Sequence, residues 1–145
     1  MKISTKGRYA LRMLLDLAMH QQEGFIALKD IAARQHISKK YLEQIVPILN
    51  RASILQANRG FQGGYRLVNP PDAYTVGDIL RLTEGSLTPI ACLDLQPEGC
   101  ERRNECITLP MWQGLSKVIA DYLDNITLQD IIDDYTARGV GNYSI

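Results

Sequence analysis

The chain has 145 residues, of which 46% are hydrophobic and 22% charged, and its sixteen Lys and Arg balance sixteen Asp and Glu. These values are ordinary for a globular protein of one or two small domains. The sequence holds neither an apolar run long enough to span a bilayer nor an apolar leader, which predicts a cytoplasmic protein without a membrane role.

The zero net charge hides an asymmetry along the chain. Residues 1–70 contain eleven Lys and Arg against four Asp and Glu, which makes that half +7. The remaining residues contain five bases against twelve acids, which makes the second half −7. A basic half joined to an acidic half predicts that the basic half binds nucleic acid. The alternative is an accidental dipole on one compact domain.

Three helices are predicted in the basic half. Apolar residues at the helical period predict the first helix over residues 5–20 and a shorter one over residues 28–35. Ser38 is a good N-cap for the third helix. The two short helices, joined through His36-Ile37-Ser38, match a helix-turn-helix. The expected core of this motif consists of Leu28, Ile31, Ala32, Ile37, Leu42 and Ile45.

The third helix begins SKKYLEQ, and in DNA-binding helix-turn-helix domains this end enters the major groove. The stretch RGFQGGYRL follows, with a glycine-rich turn between two strands predicted over residues 54–58 and 65–68. A hairpin at this place is the wing of a winged helix, and Arg59 could enter a narrow minor groove. The expected DNA-binding residues are Lys6, Ser38, Lys39, Lys40, Tyr41, Glu43, Gln44, Arg59, Gly60, Gly63 and Gly64.

Capping residues beyond the wing predict three more helices. One is opened by a Thr75–Asp78 capping box, a long one by Thr108 and Pro110, and a last short one by Thr127. Apolar residues of the long helix are spaced alternately 3 and 4 apart, like a heptad seam. This spacing favours a homodimer, with packing inside the chain as the alternative. The expected dimerisation residues are Trp112, Leu115, Ile119, Tyr122 and Ile126.

All three cysteines, Cys92, Cys100 and Cys106, lie within the fifteen residues CLDLQPEGCERRNEC. The charged, Pro- and Gly-containing sequence between them predicts an exposed loop. Their odd number and the absence of a leader disfavour disulfides. Three thiols on such a loop indicate metal or cluster ligands, with a metal-free redox thiol and a structural role as alternatives. The carboxylates that could complete a zinc site are Asp94, Glu98, Glu101 and Glu105.

Together these segments resemble the Rrf-two (Rrf2) family of bacterial winged-helix regulators. The resemblance is carried by the opening MKISTKGRYALRMLLDLA, by YLEQI in the third helix, by the RGFQGGYRL wing and by the later NITLQDI. The cysteine loop is most similar to the iron–sulfur branch of the family, the IscR-type and NsrR-type regulators, and the CymR-type branch lacks this loop. The resemblance implies a homodimer that binds double-stranded DNA and holds a [4Fe–4S] or [2Fe–2S] cluster at its interface.

Two features depart from the iron–sulfur branch. The cysteines are spaced C-x7-C-x5-C, whereas five residues in each gap are more usual. Leu109 occupies the position of the histidine ligand of IscR-type members. Arg8 occupies the position of the acidic ligand that NsrR-type members take from the partner's first helix. The fourth ligand is thus open between a loop carboxylate, a group on the partner's first helix and a small exogenous ligand.

The sequence therefore predicts a mainly α fold with a small β-hairpin wing. We expect a winged helix-turn-helix domain over residues 1–84, a cysteine-rich cluster-binding loop over 85–107, and a dimerisation helix with a C-terminal helix over 108–145. The predicted function is transcriptional regulation, with operator affinity controlled by the cluster. The alternatives are a thiol-redox or zinc-dependent regulator of the same fold and an adaptor for a metabolic enzyme. No acid–base–nucleophile set is visible, so we expect no catalytic residues.

Overall fold

The computed structural model describes residues 1–95 and 97–139, so the end of the predicted third segment, residues 140–145, lies outside it. Its described part is mainly helical, with one small sheet, as predicted. The helices are α1 (Thr5–Met19), α2 (Leu28–Gln35), α3 (Lys39–Arg51), α4 (Val76–Glu84), α5 (Leu109–Asp124) and α6 (Leu128–Ala137). The strands are β1 (Leu55–Asn58) and β2 (Gly64–Leu67), paired antiparallel.

Helices α2 and α3 form the predicted helix-turn-helix on α1. Helix α2 ends at His36, whose left-handed backbone (φ 53°) turns the chain toward α3. Ser38 caps α3, because its hydroxyl accepts a hydrogen bond of 3.1 Å from the Tyr41 N–H. Five of the six predicted core residues are buried, and Ala32 is half-buried against them. The motif is confirmed because its apolar stripes meet in one core.

The wing is fixed to the helical domain by its second strand. Ile26 and Tyr65 exchange two backbone hydrogen bonds of 2.8 Å, which tie β2 to the segment before α2. This close approach requires glycine next to Tyr65, because a Cβ on Gly64 would lie 2.3 Å from the Ile26 carbonyl group. Strand β1 begins one residue later than predicted, and β2 is shifted by one residue toward the N-terminus at both ends. The Val68 N–H still donates to the Ile54 carbonyl (2.9 Å), so the ladder continues beyond the assigned strands.

The starts of α4 and α6 lie side by side. Both predicted capping threonines, Thr75 and Thr127, form full capping boxes and pair with each other in an isolated antiparallel bridge. Leu128, the first residue of α6, is completely buried in the main core of the helix-turn-helix domain. The C-terminal helix therefore packs on the N-terminal half of the chain. The proposed boundaries at residues 84 and 107 stay a prediction.

Helix α5 begins where predicted, with Pro110 in its first turn, but Thr108 does not cap it through its side chain. The Thr108 backbone is helical (φ −90°, ψ −9°), whereas a capping residue needs an extended backbone to aim its hydroxyl at the following N–H groups. No residue of α5 is buried. Within the part of the chain described above, no helix is both long and apolar enough to cross a membrane.

Candidate DNA-binding surface and cysteine loop

The exposed N-terminal end of α3 carries most of the predicted DNA-binding side chains. Lys39, Lys40, Glu43 and Gln44 are exposed there. Tyr41 is half-buried, because its ring packs edge-on against Tyr9 with 5.2 Å between the ring centroids. The polar side chains are therefore free to meet a duplex, whereas part of the Tyr41 ring is used to hold α3 on α1.

A groove of about 470 Å³ separates the start of α3 from the wing. Lys39 and Glu43 line it from α3, and Arg59 lines it from the wing. Two predicted wing glycines, Gly63 and Gly64, also lie on its wall. The Lys39 ammonium group lies 3.7 Å from the Glu43 carboxylate. The structure thus brings the two predicted DNA-contacting elements to the sides of one groove.

The lysines that line this groove differ from the predicted set at two positions, Lys29 and Lys6. Lys29, on the first turn of α2, lines the groove beside Lys39. It was missed because an isolated lysine on a short amphipathic helix has no motif. Lys6 was predicted as a contact, but it is half-buried in the first turn of α1 and does not line the groove. A contact from Lys6 would have to reach DNA beyond the groove.

Asp16 supports this surface from within, and its role was not predicted. Its side chain on α1 is 1% exposed and accepts hydrogen bonds from Arg34 at 2.6 and 3.0 Å and from Gln35 at 3.0 Å. The bond with Asp16 is the main reason why the pKa of Arg34 is raised. Both partners lie at the end of α2, so this buried carboxylate fixes the helix-turn-helix on α1. The sequence feature that could have predicted this role is the position of Asp16 as an acid within the apolar stripe of α1.

The loop with the three cysteines lies between α4 and α5 and contains three short 3₁₀ turns. All three thiols are free. Cys92 and Cys100 are half-buried, and Cys106 is exposed just before α5. In residues 1–95 and 97–139, no three Cys, His, Asp or Glu side chains converge closely enough to hold a metal ion. The donor set fits an iron–sulfur cluster chemically, but binding all three sulfurs to one cluster would require the loop to close.

The surroundings of Cys106 favour its thiolate form by lowering the pKa of the thiol. The hydrogen bond with the Thr108 hydroxyl, at 3.5 Å from the sulfur, is the largest cause of its lowered pKa. The backbone N–H groups of Thr108 and Leu109 and the charge of Arg102 lower the pKa further. The thiolate is the form that binds metal and reacts with oxidants. Thr108 therefore serves the thiol rather than the helix cap predicted for it.

Asp94 anchors the start of the loop to the end of α4. Its two carboxylate oxygens accept hydrogen bonds from the Ser86 hydroxyl at 2.5 Å and from the Thr88 hydroxyl at 2.9 Å. The Ser86 hydroxyl also accepts from the Thr88 N–H at 3.2 Å, which closes the turn. Of the loop acids considered as a fourth ligand, Asp94 is thus already engaged. Glu98, Glu101 and Glu105 are exposed.

Part of the long helix presents an apolar surface to solvent. Val118 is 64% exposed and Tyr122 67% exposed, and Leu115 is also exposed. Val118 and Tyr122 line an apolar groove of about 300 Å³. The lining of this groove is formed by Met1, Ile3, Leu80, Val118, Ile119, Tyr122 and Leu123.

The predicted heptad seam is divided between two environments. Ile126 was predicted as the last seam residue of the long helix, but α5 ends at Asp124, so Ile126 lies beyond the helix. It packs on the small intrachain core around Val76, Leu80 and Leu87. Leu115 and Tyr122 are exposed, whereas Trp112 and Ile119 are half-buried. The intrachain alternative therefore accounts for the end of the seam, and dimerisation through the remaining residues stays a prediction.

Comparison with known proteins identifies the family. Residues 3–134 match the model of the Rrf2 family, described as an iron-dependent transcriptional regulator. The chain is 39% identical over 142 residues to the HTH-type transcriptional regulator IscR of Aliivibrio salmonicida, covering 98% of this chain and 83% of that protein. The chain belongs to the Rrf2 family. The resemblance predicted from the sequence segments is confirmed.

Solved structures agree with the assignment. The T. potens IscR structure has 40% identity and a TM-score of 0.73, covering 92% of this chain and 88% of that one. The structure of CymR, the global cysteine regulator of B. subtilis, has 38% identity and a TM-score of 0.69, covering 90% and 95%. These Rrf2 relatives are transcriptional regulators and not enzymes, so the chain is a winged-helix transcriptional regulator, as predicted. The names of these relatives give no support to an adaptor for a metabolic enzyme.

Proposed function

We propose that this Rrf2-family chain is a cytoplasmic homodimeric regulator whose affinity for double-stranded DNA is controlled by an iron–sulfur cluster. The observation that carries this proposal is the single exposed loop that holds three free thiols, in a chain of an iron-dependent family. Overall similarity does not choose the branch, because identity to IscR and to CymR structures is nearly equal. The cysteine loop supports the iron–sulfur branch.

Cys92, Cys100 and Cys106 would hold the cluster. Thiolates are the usual protein ligands of iron–sulfur clusters, and the lowered pKa of Cys106 favours its ligating form. Gathering the three sulfurs would order a loop that otherwise rests on short turns and on the Asp94 anchor. Because this loop leads directly into α5, its order would bias the position of that helix and of a partner packed on it.

The same proposal assigns roles on the DNA-binding surface. Lys39 and Lys40 would contact phosphates, which fixes register without reading sequence. Gln44 and the exposed part of Tyr41 would lie nearer the base edges. Glu43 would accept from cytosine N4 or reject other bases, once its contact with Lys39 is broken. Paired half-sites would be read by a dimer formed through the apolar surface of α5.

The proposal is tested by anaerobic purification followed by iron and sulfide counts, visible absorbance and DNA affinity with and without the bound metal. Each variant Cys92→Ala, Cys100→Ala and Cys106→Ala should lose the chromophore and change its DNA affinity while keeping its helix content. Asn104→Ala, at an exposed position of the same loop, is the matched control and should keep iron and sulfide at the wild-type level. Full cluster content in all three cysteine variants would disprove the three-thiolate site.

A separate variant examines the fourth ligand. Asp94→Asn keeps the size of the side chain and part of its bonding to Ser86 and Thr88. Since both carboxylate oxygens of Asp94 are engaged by hydroxyl groups, we expect unchanged iron content and an unchanged visible spectrum. A shifted spectrum would instead make Asp94 a ligand. Glu98→Gln, Glu101→Gln and Glu105→Gln examine the exposed acids in the same way.

One observation favours a second candidate, a thiol-redox regulator on the same fold. Cys106 is exposed and has a lowered pKa, and these are the properties of a reactive thiol. In that case the protein would lack iron and sulfide, and oxidants would alter DNA affinity reversibly, with Cys106→Ala insensitive. Stoichiometric zinc in place of iron would indicate the zinc-dependent alternative.

A further inference from the structure

The tip of the wing carries the most exposed large apolar side chain described in this chain. The relative exposure of Phe61 is 105%, so its ring gains no burial from the rest of the chain. Phe61 lies between Gly60 and Gln62 in the chain, two positions after the predicted minor-groove residue Arg59. A fully solvated phenylalanine at the end of a DNA-binding element calls for a partner that can cover it.

The backbone presents this ring in a defined place. The Gly63 N–H donates to the Gly60 carbonyl at 2.9 Å, which closes a four-residue turn with Phe61 at its second position. Gly60 has a φ of +113°, which favours glycine, and a Cβ on Gly63 would lie 2.7 Å from the Asn58 carbonyl oxygen. Two of the wing glycines are thus required to build the turn that projects the phenylalanine.

The turn is also held firmly relative to the recognition helix. The paired hydrogen bonds between Ile26 and Tyr65 connect β2 to the helical domain. The Arg66 guanidinium stacks on the Phe25 ring at 4.5 Å, on the same connection. A duplex seated on α3 would therefore meet the wing tip at a fixed distance rather than through a loose loop.

The charges around the wing favour a polyanionic partner. The groove between α3 and the wing is lined by the bases Lys29, Lys39 and Arg59 and by the acid Glu43. Phe61 lines a second groove, which shares Lys29 with the first and also contains Glu23 and Asp30. Both grooves lie in the half of the chain that carries +7. A polyanion suits the basic side chains. The thymine methyl groups and the sugar C–H groups of duplex DNA offer small apolar surfaces, whereas the faces of the stacked base pairs are its largest ones. Minor-groove binding proteins reach those faces by inserting apolar side chains between base steps, which kinks the duplex.

We propose that Phe61 acts as a wedge that enters the minor groove beside Arg59 and partly separates one base step. The preferred step would be a pyrimidine–purine step, because TA and CA/TG steps unstack most easily. Phe61 would then select sequence through deformability rather than through hydrogen bonds. This inference rests on the DNA-binding surface proposed above and is independent of the cluster.

The wedge is tested with the highest-affinity duplex that the wild-type protein selects from a random pool, by fluorescence anisotropy at several salt concentrations. Phe61→Ala should weaken binding roughly 10- to 100-fold, the size expected for burying a phenylalanine side chain. The slope of log K against log salt should not change, because an apolar ring releases no counterions. Arg59→Ala should lower that slope by about one. Gln62→Ala, on the neighbouring turn residue, is the matched control and should bind as wild type.

A second readout follows the DNA itself. With 2-aminopurine placed in turn at each adenine of the half-site, the wild-type protein should raise fluorescence at one step next to the wing. Phe61→Ala should abolish this signal and reduce the bend measured by energy transfer between labelled duplex ends.

Wild-type affinity and bend in Phe61→Ala would overturn the wedge while leaving DNA binding intact. Failure of the wild-type protein to select any duplex would overturn the DNA-binding surface as well. If Phe61→Ala lost only transcription with RNA polymerase, the ring would contact protein instead.

Discussion

Asp16 holds the helix-turn-helix together through a charge that is almost completely withdrawn from water. Three hydrogen bonds from Arg34 and Gln35 compensate for its burial. Such a pair adds little stability compared with an apolar replacement of both partners, but removing one partner is costly because the other is left uncompensated. The effect of a substitution here depends on which charge remains.

Asp16→Ala should lower the free energy of unfolding by about 2–4 kcal/mol, less than the full cost of breaking a buried pair, because Arg34 is 34% exposed and can regain water. Urea denaturation at a fixed protein concentration measures this change. Asp134→Ala removes an acid from an exposed pair with Arg138 on α6 and should cost no more than about 0.5 kcal/mol. Equal losses in the two variants would show that burial of Asp16 is energetically unimportant.

The roles of Asp16 and Asp94 were not predicted from the sequence, for the same physical reason. Asp16 finds its partners 18 and 19 positions away, and Asp94 finds hydroxyl groups that lie before it in the chain at a sharp turn. Local periodicity contains no information about such pairings. In contrast, Ser38 could be predicted as a cap because its partner, the Tyr41 N–H, is fixed by helix geometry three residues away.

At the scale of elements, the three predicted helix caps show how far local sequence determines structure. Thr75, Thr108 and Thr127 were all predicted to cap helices, and the helices begin after each of them. Only Thr75 and Thr127 do so through their side chains. At Thr108 the backbone itself is already helical, and the hydroxyl contacts Cys106 instead. The backbone conformation of Thr108 depends on the fold of the loop before α5, which local residue preferences do not predict.

Thr127→Ala should therefore cost about 1 kcal/mol of folding stability, because the Asp130 N–H loses its acceptor and the capping box is broken. Thr108→Ala is the matched control, since it removes the same hydroxyl from a helix start where no capping bond exists. Its stability should stay within about 0.5 kcal/mol of wild type. Thermal and urea unfolding followed by circular dichroism compare the two. A larger loss in Thr108→Ala than in Thr127→Ala would reverse the assignment of the caps.

At the scale of the whole molecule, α5 is the element whose environment is incomplete. The seam of apolar residues on it was recognisable in the sequence, but its division was not. Leu123 on α5 and Ile126 just beyond it pack against the intrachain core, whereas Val118 and Tyr122 are exposed. An apolar helix surface of this kind favours a second copy of the chain.

Ile119→Glu would place a charge in the apolar groove and should weaken a dimer by roughly 100-fold or more. Light scattering and sedimentation measure the assembly. Operator binding should weaken as well, because attachment to two half-sites is lost. Gln113→Glu adds the same charge to an exposed position on α5, one turn before the Lys117–Asp121 pair, and should remain dimeric. A monomeric wild-type protein at micromolar concentration would assign the groove to another partner.

The charge asymmetry is the second property of the whole molecule, and it ties DNA affinity to salt. The +7 half contains the groove between α3 and the wing, and the −7 half contains α5 and α6. Lys40 lies exposed in the first turn of α3, whereas Lys117 lies exposed on α5 beside Asp121. The two lysines have the same charge but are placed in opposite halves of the dipole.

Lys40→Ala should lower the slope of log K against log salt by about one for each bound chain, because one phosphate contact and its released counterion are lost. Lys117→Ala removes the same charge from the acidic half and should leave the slope unchanged. Anisotropy titrations between about 50 and 200 mM salt resolve such a difference. If both lysine variants lowered the slope equally, net charge alone would control affinity. That result would contradict the proposal that DNA contacts the surface formed by α3 and the wing.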